Sequence, residues 1–269
     1  MPYVLQTGAA GAERLALVEK VYGDHTRRIL GRLGVQEGAK IADLGCGTGS
    51  TTKWFSSQIG SAGEVVAVDE SGEQLALLAS DIDRDGIGNV STVQADAMNT
   101  GIDRGRFDIV HCRFLISHVT EPVALVREMA ALARPGGLVI AFEVDIGGLF
   151  SIPSTECYER LRALSRNGGQ AIGRDYEIGA KLATVFSSAG LPEPDMEFIH
   201  PVYLRGEEKR FWEYTARESM LPVRAGLTTE SNFDALMREL EAVAGNEMCA
   251  VAQPRLVACW ARKGTNESA

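Results

Sequence analysis

The sequence predicts an α/β fold built on a mostly parallel, doubly wound sheet with helices on both faces. Three observations carry the prediction. Residues 41–52 read as strand, glycine loop and helix; short apolar strands then alternate with helical stretches as far as Val144; and an acid, Asp69, closes the strand that follows the glycine loop.

The elements follow in order. Leu15, Leu17, Val18, Val21 and Tyr22, then Ile29, Leu30 and Leu33, recur at helical spacing, and Gly34 and Gly38 end this helical preface of about 40 residues. Tyr3, Val4 and Leu5 form an apolar knot ahead of it. They either pack on the domain or let Tyr3 close over a bound ligand. In 41–52, reading I-A-D-L-G-C-G-T-G-S-T-T, Ile41, Ala42 and Leu44 suit a buried strand, and Gly45, Gly47 and Gly49 suit a loop close to a ligand. Ser50 or Thr51 is placed to N-cap a helix carrying Trp54, Phe55 and Ile59. A dinucleotide fingerprint needs a third glycine where Ser50 stands, and no Gly-Lys-Ser/Thr follows for a triphosphate loop. Asp43 would repel a pyrophosphate and suits a ligand carrying an amine and a sulfonium.

The second strand, Glu64–Asp69, puts Asp69 where a ligand's ribose hydroxyls would sit. A helix over 73–78 presents Leu75, Leu77 and Leu78 inward. A third strand, Val90–Gln94, runs into A-D-A-M-N, where Asp96 and the Ala97 N–H can read adenine, or simply form a turn. The fourth strand, 107–112, leads into R-F-L-I-S-H-V-T-E-P, and Pro122 starts a helix through Val126, Met129 and Leu132. Residues 134–137, R-P-G-G, make a breaker turn before a fifth strand at 138–144. From 145 to 173 the pattern changes to a glycine-interrupted insertion. Asp175 is then placed to N-cap a helix over 176–189, followed by a sixth strand at 197–204, a long helical stretch over 207–250, a last strand at 256–261 and a frayed tail at 265–269.

Composition sets the bounds. At 269 residues, 45% hydrophobic and 23% charged, the chain suits one large α/β domain with insertions. A net charge of -9 disfavours nucleic acid and leaves a small molecule as the default partner. Cys46, Cys112, Cys157, Cys249 and Cys259 are scattered and read as reduced thiols, with no metal site. The start does not read as a signal peptide, and no apolar run approaches the roughly 18 residues of a membrane span, so the expectation is a cytoplasmic protein away from membranes, monomeric or homodimeric.

Taken together, residues 38–145 resemble the class I S-adenosylmethionine-dependent methyltransferases, particularly the small-molecule branch with ubiquinone/menaquinone-biosynthesis and natural-product enzymes of secondary metabolism. The resemblance implies a Rossmann-like, seven-stranded, mostly parallel sheet whose last strand is antiparallel, with helical lids. The implied organisation is a helical segment at 1–40, a cofactor-binding core at 41–145, lids at 146–173 and 207–250, and the rest of the core at 174–206 and 251–264. The cofactor would be S-adenosyl-L-methionine, with Asp43, Gly45, Cys46 and Gly47 around its methionine and ribose. Asp69, with Glu70 and Gln74, would take the ribose; Asp96 and Ala97 the adenine; Cys112 and Arg113 the methionine side; Tyr3 would close over it.

For the reaction, His118 is the first candidate base, with Glu143 and Asp145 as alternatives. Asp145, Tyr176, Phe211, Trp212 and Tyr214 are candidates to meet the acceptor, and His111 and His200 read as packing residues. The implied activity is methyl transfer to oxygen or carbon of a small apolar or aromatic metabolite. Alternatives are other chemistry on the same cofactor, such as cyclisation, or a non-catalytic binding protein.

Overall fold

The computed structural model describes residues 8–265. Tyr3, Val4, Leu5 and the last four residues lie outside them. A long helix, α1 (Gly8–Arg32), comes first, burying Val18, Val21, Tyr22, Ile29 and Leu30 along one stripe. The main sheet then begins with β1 (Lys40–Leu44), α2 (Ser50–Ile59), β2 (Glu64–Asp69), α3 (Gly72–Asp85), β3 (Val90–Gln94), β4 (Phe107–Arg113), α4 (Pro122–Leu132) and β5 (Ala133–Asp145).

The insertion that follows holds β6 (Phe150–Ile152) and α5 (Glu156–Ala171); α6 (Leu182–Ser188) and β7 (Asp195–Ile199) return to the core. After β8 (Val202–Tyr203) come α7 (Phe211–Ser219), α8 (Leu221–Arg224), α9 (Glu230–Gly245), β9 (Ala250–Ala252) and β10 (Arg255–Arg262). The seven strands lie in the order β3-β2-β1-β4-β5-β10-β7. β1 to β5 run parallel, and β10 is antiparallel to both β5 and β7. The order reverses between β1 and β4, so the carboxyl ends of these two strands border the crevice where ligands of doubly wound sheets bind. One sheet face packs on α1 and α2 through Ile29, Phe55 and Ile59, the other on α4 and α6 through Leu125, Met129, Leu182 and Phe186.

Several elements differ from the sequence reading. The sixth strand is not continuous: the chain breaks at His200-Pro201, and β8 leaves the main sheet to join a three-stranded antiparallel sheet, β6-β9-β8. The insertions are therefore not purely helical. Residues 134–137 are absorbed into β5, whose pairing with β4 shifts register between Phe107 and Ile109 while Gly136 takes φ 75°. The 176–189 helix resolves into a 3₁₀ turn, Ile178–Lys181, and α6; Asp175 Oδ1 accepts from Glu177 N at 2.9 Å and caps no α-helix. Neither Ser50 nor Thr51 caps α2, since Gly49 holds the cap position in a left-handed conformation. Among the described residues, no helix is long and apolar enough to cross a membrane.

Candidate functional site

At the switch point the chain encloses a cavity of about 460 Å³, bounded by the glycine loop, the ends of β2 to β5, α1, α7 and the segment around Tyr176. On the loop side, Gly47 has φ 55° and its N–H donates to Asp69 Oδ2 at 2.8 Å, while Asp69 Oδ1 accepts from Ser71 N at 2.9 Å. Gly49 has φ 77°, and a Cβ there would come within 2.3 Å of Leu78 Cδ1, so the loop is held tight against α3. Burial, and secondarily Asp43, push the Asp69 pKa up against these two backbone bonds.

Asp43 is also buried, and its two oxygens are engaged: Oδ1 with His111 Nδ1 at 2.8 Å, Oδ2 with Thr52 Oγ1 at 2.5 Å. After β3, Asp96 Oδ1 accepts from Met98 N at 2.8 Å, and Asp96, Ala97 and Met98 all line the cavity. Two buried polar atoms on this side, Gln74 Oε1 and His111 Nε2, have no hydrogen-bond partner among the described residues. Burial, with Asp43 and Asp69 nearby, raises the Cys46 pKa, so it stays a thiol.

The other half of the cavity is aromatic. Trp212 Nε1 donates to Ser165 Oγ at 3.0 Å, and the Tyr176 ring stands edge-on to both Trp212 and His118, with centroids 6.1 Å away in each case. Tyr22 meets Phe211 at 5.5 Å, and its hydroxyl donates to Pro254 O at 2.8 Å. His118 ends a 3₁₀ turn, Ile116–His118. Burial first, and then the Arg174 and Arg14 charges, lower its pKa to about 3, so the ring is neutral at neutral pH. Beneath the turn, the fully buried Glu143 accepts from Ile116 N, and burial raises its pKa to about 7.

The structure brings Asp43, Gly45, Cys46, Gly47, Asp69, Glu70, Gln74, Asp96, Ala97, Arg113, His118, Tyr176, Phe211 and Trp212 around one cavity. Four expected residues do not reach it. Strand alternation turns Cys112 to the opposite sheet face from His111 and Arg113, where its thiol meets Met129 Sδ at 3.7 Å. The same alternation puts Val144 on the cavity and turns Glu143 and Asp145 away from it; Asp145 pairs with Arg255 at 2.6 Å. Tyr214 faces outward beneath the Arg210 guanidinium, 4.7 Å away. His200 packs against Phe150, and its Nε2 donates to Gly148 O at 2.8 Å.

Sequence reasoning missed other members of the wall. His111, read as a packing residue, does pack against Phe55 and Phe142, and it also lines the cavity on the same strand face as Arg113. Arg14, Leu115, Ser165 and Arg174 also line the cavity. So does Arg113, whose Nη2 bonds to Glu19 Oε2 at 2.8 Å and Ser50 Oγ at 3.0 Å. Burial would raise the Glu19 pKa, but Arg113 and the hydrogen bonds around the carboxylate bring it down. Helical periodicity located α1 yet gave no sign of this link from Glu19 to the glycine loop.

A strand, a tight glycine loop and acids at successive strand ends place carboxylate acceptors along one side of a cavity whose other side is aromatic. Comparison with known proteins narrows the class: residues 41–137 match a family described as a methyltransferase domain. The chain is similar to the ubiquinone/menaquinone biosynthesis C-methyltransferase UbiE of Idiomarina loihiensis, 38% identical over 111 residues, which are 41% of this chain and 44% of the relative. The chain spans about half the length of the curated relatives it matches. In three dimensions it resembles a Bacillus halodurans protein assigned as a methyltransferase, with a TM-score of 0.60, 17% identity and coverage of 88% of this chain and 98% of the other. It also resembles the cyclase SpnF, with a TM-score of 0.54, 16% identity and coverage of 96% and 83%. Residues 41–137 are thus similar to a methyltransferase domain, and they lie within a seven-stranded fold that the Bacillus halodurans protein shares.

Proposed function

We propose that the chain is an S-adenosylmethionine-dependent methyltransferase acting on a small apolar or aromatic metabolite. The observation that carries this reading is the run of acceptors along one side of the cavity (Asp69, Asp96 and the unpartnered Gln74 Oε1), facing an aromatic wall on the other. The fit to the cofactor rests on the cradle itself. A side chain at Gly49 would collide with Leu78, and the donors a nucleoside offers, ribose hydroxyls and an exocyclic amine, match carboxylate and amide acceptors. Asp69 would hold the ribose, with Glu70 and Gln74 beside it; Asp96 and the Ala97 N–H would hold the adenine. Gly45, Cys46, Gly47 and Arg113 would border the methionine portion. Asp43, spent on His111 and Thr52, would act through the loop and His111 and would not bind the amine directly.

When bound, S-adenosylmethionine supplies a methyl group already activated by its sulfonium. The residues of this chain then have to align the acceptor and keep water out, and such alignment is worth about 7 to 11 kcal/mol. Tyr176, Phe211 and Trp212 present flat apolar surface for this. With a pKa near 3, His118 is a poor proton acceptor in the empty cavity, so its role is to hold and orient the acceptor, taking a proton only if an anion nearby restores its basicity. Glu143 is a positioning residue that fixes the turn bearing His118.

The test is incubation with methyl-labelled cofactor and a panel of phenols and quinol precursors. Label transfer to any of them supports the proposal. Binding without transfer would favour the second reading, cyclisation or another non-transfer reaction, which the shared architecture with SpnF keeps in view.

A further inference from the structure

The aromatic half of the cavity contains a cation with no counter-charge among the described residues. Arg174 is only 8% exposed and lines the cavity, yet its guanidinium makes no ion pair or hydrogen bond to any described residue, and its Nε is buried without a partner. Only its backbone is tied down, through N–H to Gly169 O at 2.9 Å. The other two arginines of the wall are answered: Arg113 by Glu19 at 2.8 Å, Arg14 by Glu218 at 3.4 Å. A buried charge without a counter-charge is costly, and in a chain where 36 acids face 27 bases a partner was available to selection. Tyr176, Trp212 and Leu221 line the same cavity, so it offers apolar and aromatic surface as well as this cation.

Building on the methyltransferase reading, we propose that Arg174 binds an anionic oxygen group of the acceptor, a carboxylate or an ionised phenol or enol carried on an aromatic or apolar body. The guanidinium supplies the forked donor geometry that such groups accept. An anion seated there also offsets the two positive charges that suppress protonation of His118, so the acceptor itself would make His118 a better hydrogen-bond and proton acceptor.

A carboxylate could also come from the cofactor's methionine portion, and the test separates the two sources. Calorimetry on the full chain compares S-adenosylhomocysteine with 5′-methylthioadenosine, which lacks the carboxylate, and naphthoate with naphthamide, the latter pair with and without the nucleoside. We expect wild type to prefer naphthoate by about tenfold or more, Arg174→Gln to lose that preference, Arg174→Lys to regain part of it, and S-adenosylhomocysteine affinity to change less than about threefold in either variant. No preference in wild type, or a preference that survives Arg174→Gln, overturns the proposal. So does a large loss of S-adenosylhomocysteine affinity with methylthioadenosine unaffected, which would make the anion the cofactor's own. Failure of wild type to bind either nucleoside would instead overturn the methyltransferase reading, and the naphthoate pair would still decide the anion site.

Discussion

Asp69 and Glu143 are both carboxylates whose pKa burial raises, and they differ in what they face. Asp69 opens on the cavity, and hydrogen bonds to a charged group are worth roughly 1.5 to 3 kcal/mol each. Asp69→Ala should therefore weaken S-adenosylhomocysteine binding by about 10- to 100-fold in calorimetry; an unchanged dissociation constant with an intact circular dichroism spectrum rejects the ribose role. Glu143 is fully buried beneath the turn, where it accepts from Ile116 N. With a folded pKa of about 7 against an ordinary 4.5, the native state keeps a proton that the unfolded chain has lost between those values. Its contribution to stability is thus complete below pH 4.5 and is lost as pH rises through about 7, amounting to roughly 3 kcal/mol at most. Urea unfolding at pH 5 and pH 8 should show wild type losing stability relative to Glu143→Gln, and parallel behaviour would exclude a raised pKa. The sequence made Asp69 legible because chain order alone puts it at a strand end beside the loop. It made Glu143 look catalytic because strand ends suggest depth but not facing. Counting the two-residue period from Val144 would have turned both Glu143 and Asp145 away, and counting from Arg113 would have turned Cys112 away. Arg174 carried no signal, since its place depends on how the insertion folds back.

At the scale of elements, the strands up to Asp145 were legible as apolar runs between turn residues, and the register supports the expected order. The small sheet was not, because strands of three residues, Phe150–Ile152 and Ala250–Ala252, are too short to show a period, and a lone His200-Pro201 does not announce a change of sheet. α7 shows why packing and function were hard to separate from sequence. Trp212 is 7% exposed, belongs to the core, and also forms part of the cavity wall, with its backbone N–H donating to Gln253 Oε1 at 3.3 Å. Trp212→Ala should accordingly cost about 3 to 5 kcal/mol of stability and depress turnover together. Trp212→Phe keeps much of the apolar surface and loses the bond to Ser165, a matter of about 1 kcal/mol, so it should stay folded while the acceptor's KM rises. Thermal melts and steady-state kinetics on both variants check this; wild-type KM in Trp212→Phe would confine the residue to packing.

For the whole molecule, the contacts of α1 alter how closure over the site should work. The sequence suggested lids at 146–173 and 207–250 that move apart from a self-sufficient cofactor unit, with the first helix a mere preface. Instead α1 touches both parties. Glu19 bonds to Ser50 and Arg113 beside the glycine loop, while Tyr22 packs on Phe211, Arg14 pairs with Glu218 and Lys20 with Glu207 across the roof. The exposed Lys20 pair adds little, but the buried Tyr22, held by Phe114 at 5.4 Å and by Pro254, fixes α1 and α7 as one piece. We therefore propose that filling the nucleoside side tightens the roof even without acceptor, through α1. Hydrogen exchange with and without S-adenosylhomocysteine should show residues 14–32 and 211–224 gaining protection together with the loop at 41–52. Glu19→Gln, which weakens the link to Arg113 without touching α7, should leave the loop protected and reduce the gain at 211–224. Protection confined to the loop in wild type would mean that the roof answers only to the acceptor, and the coupling through α1 would have to be abandoned.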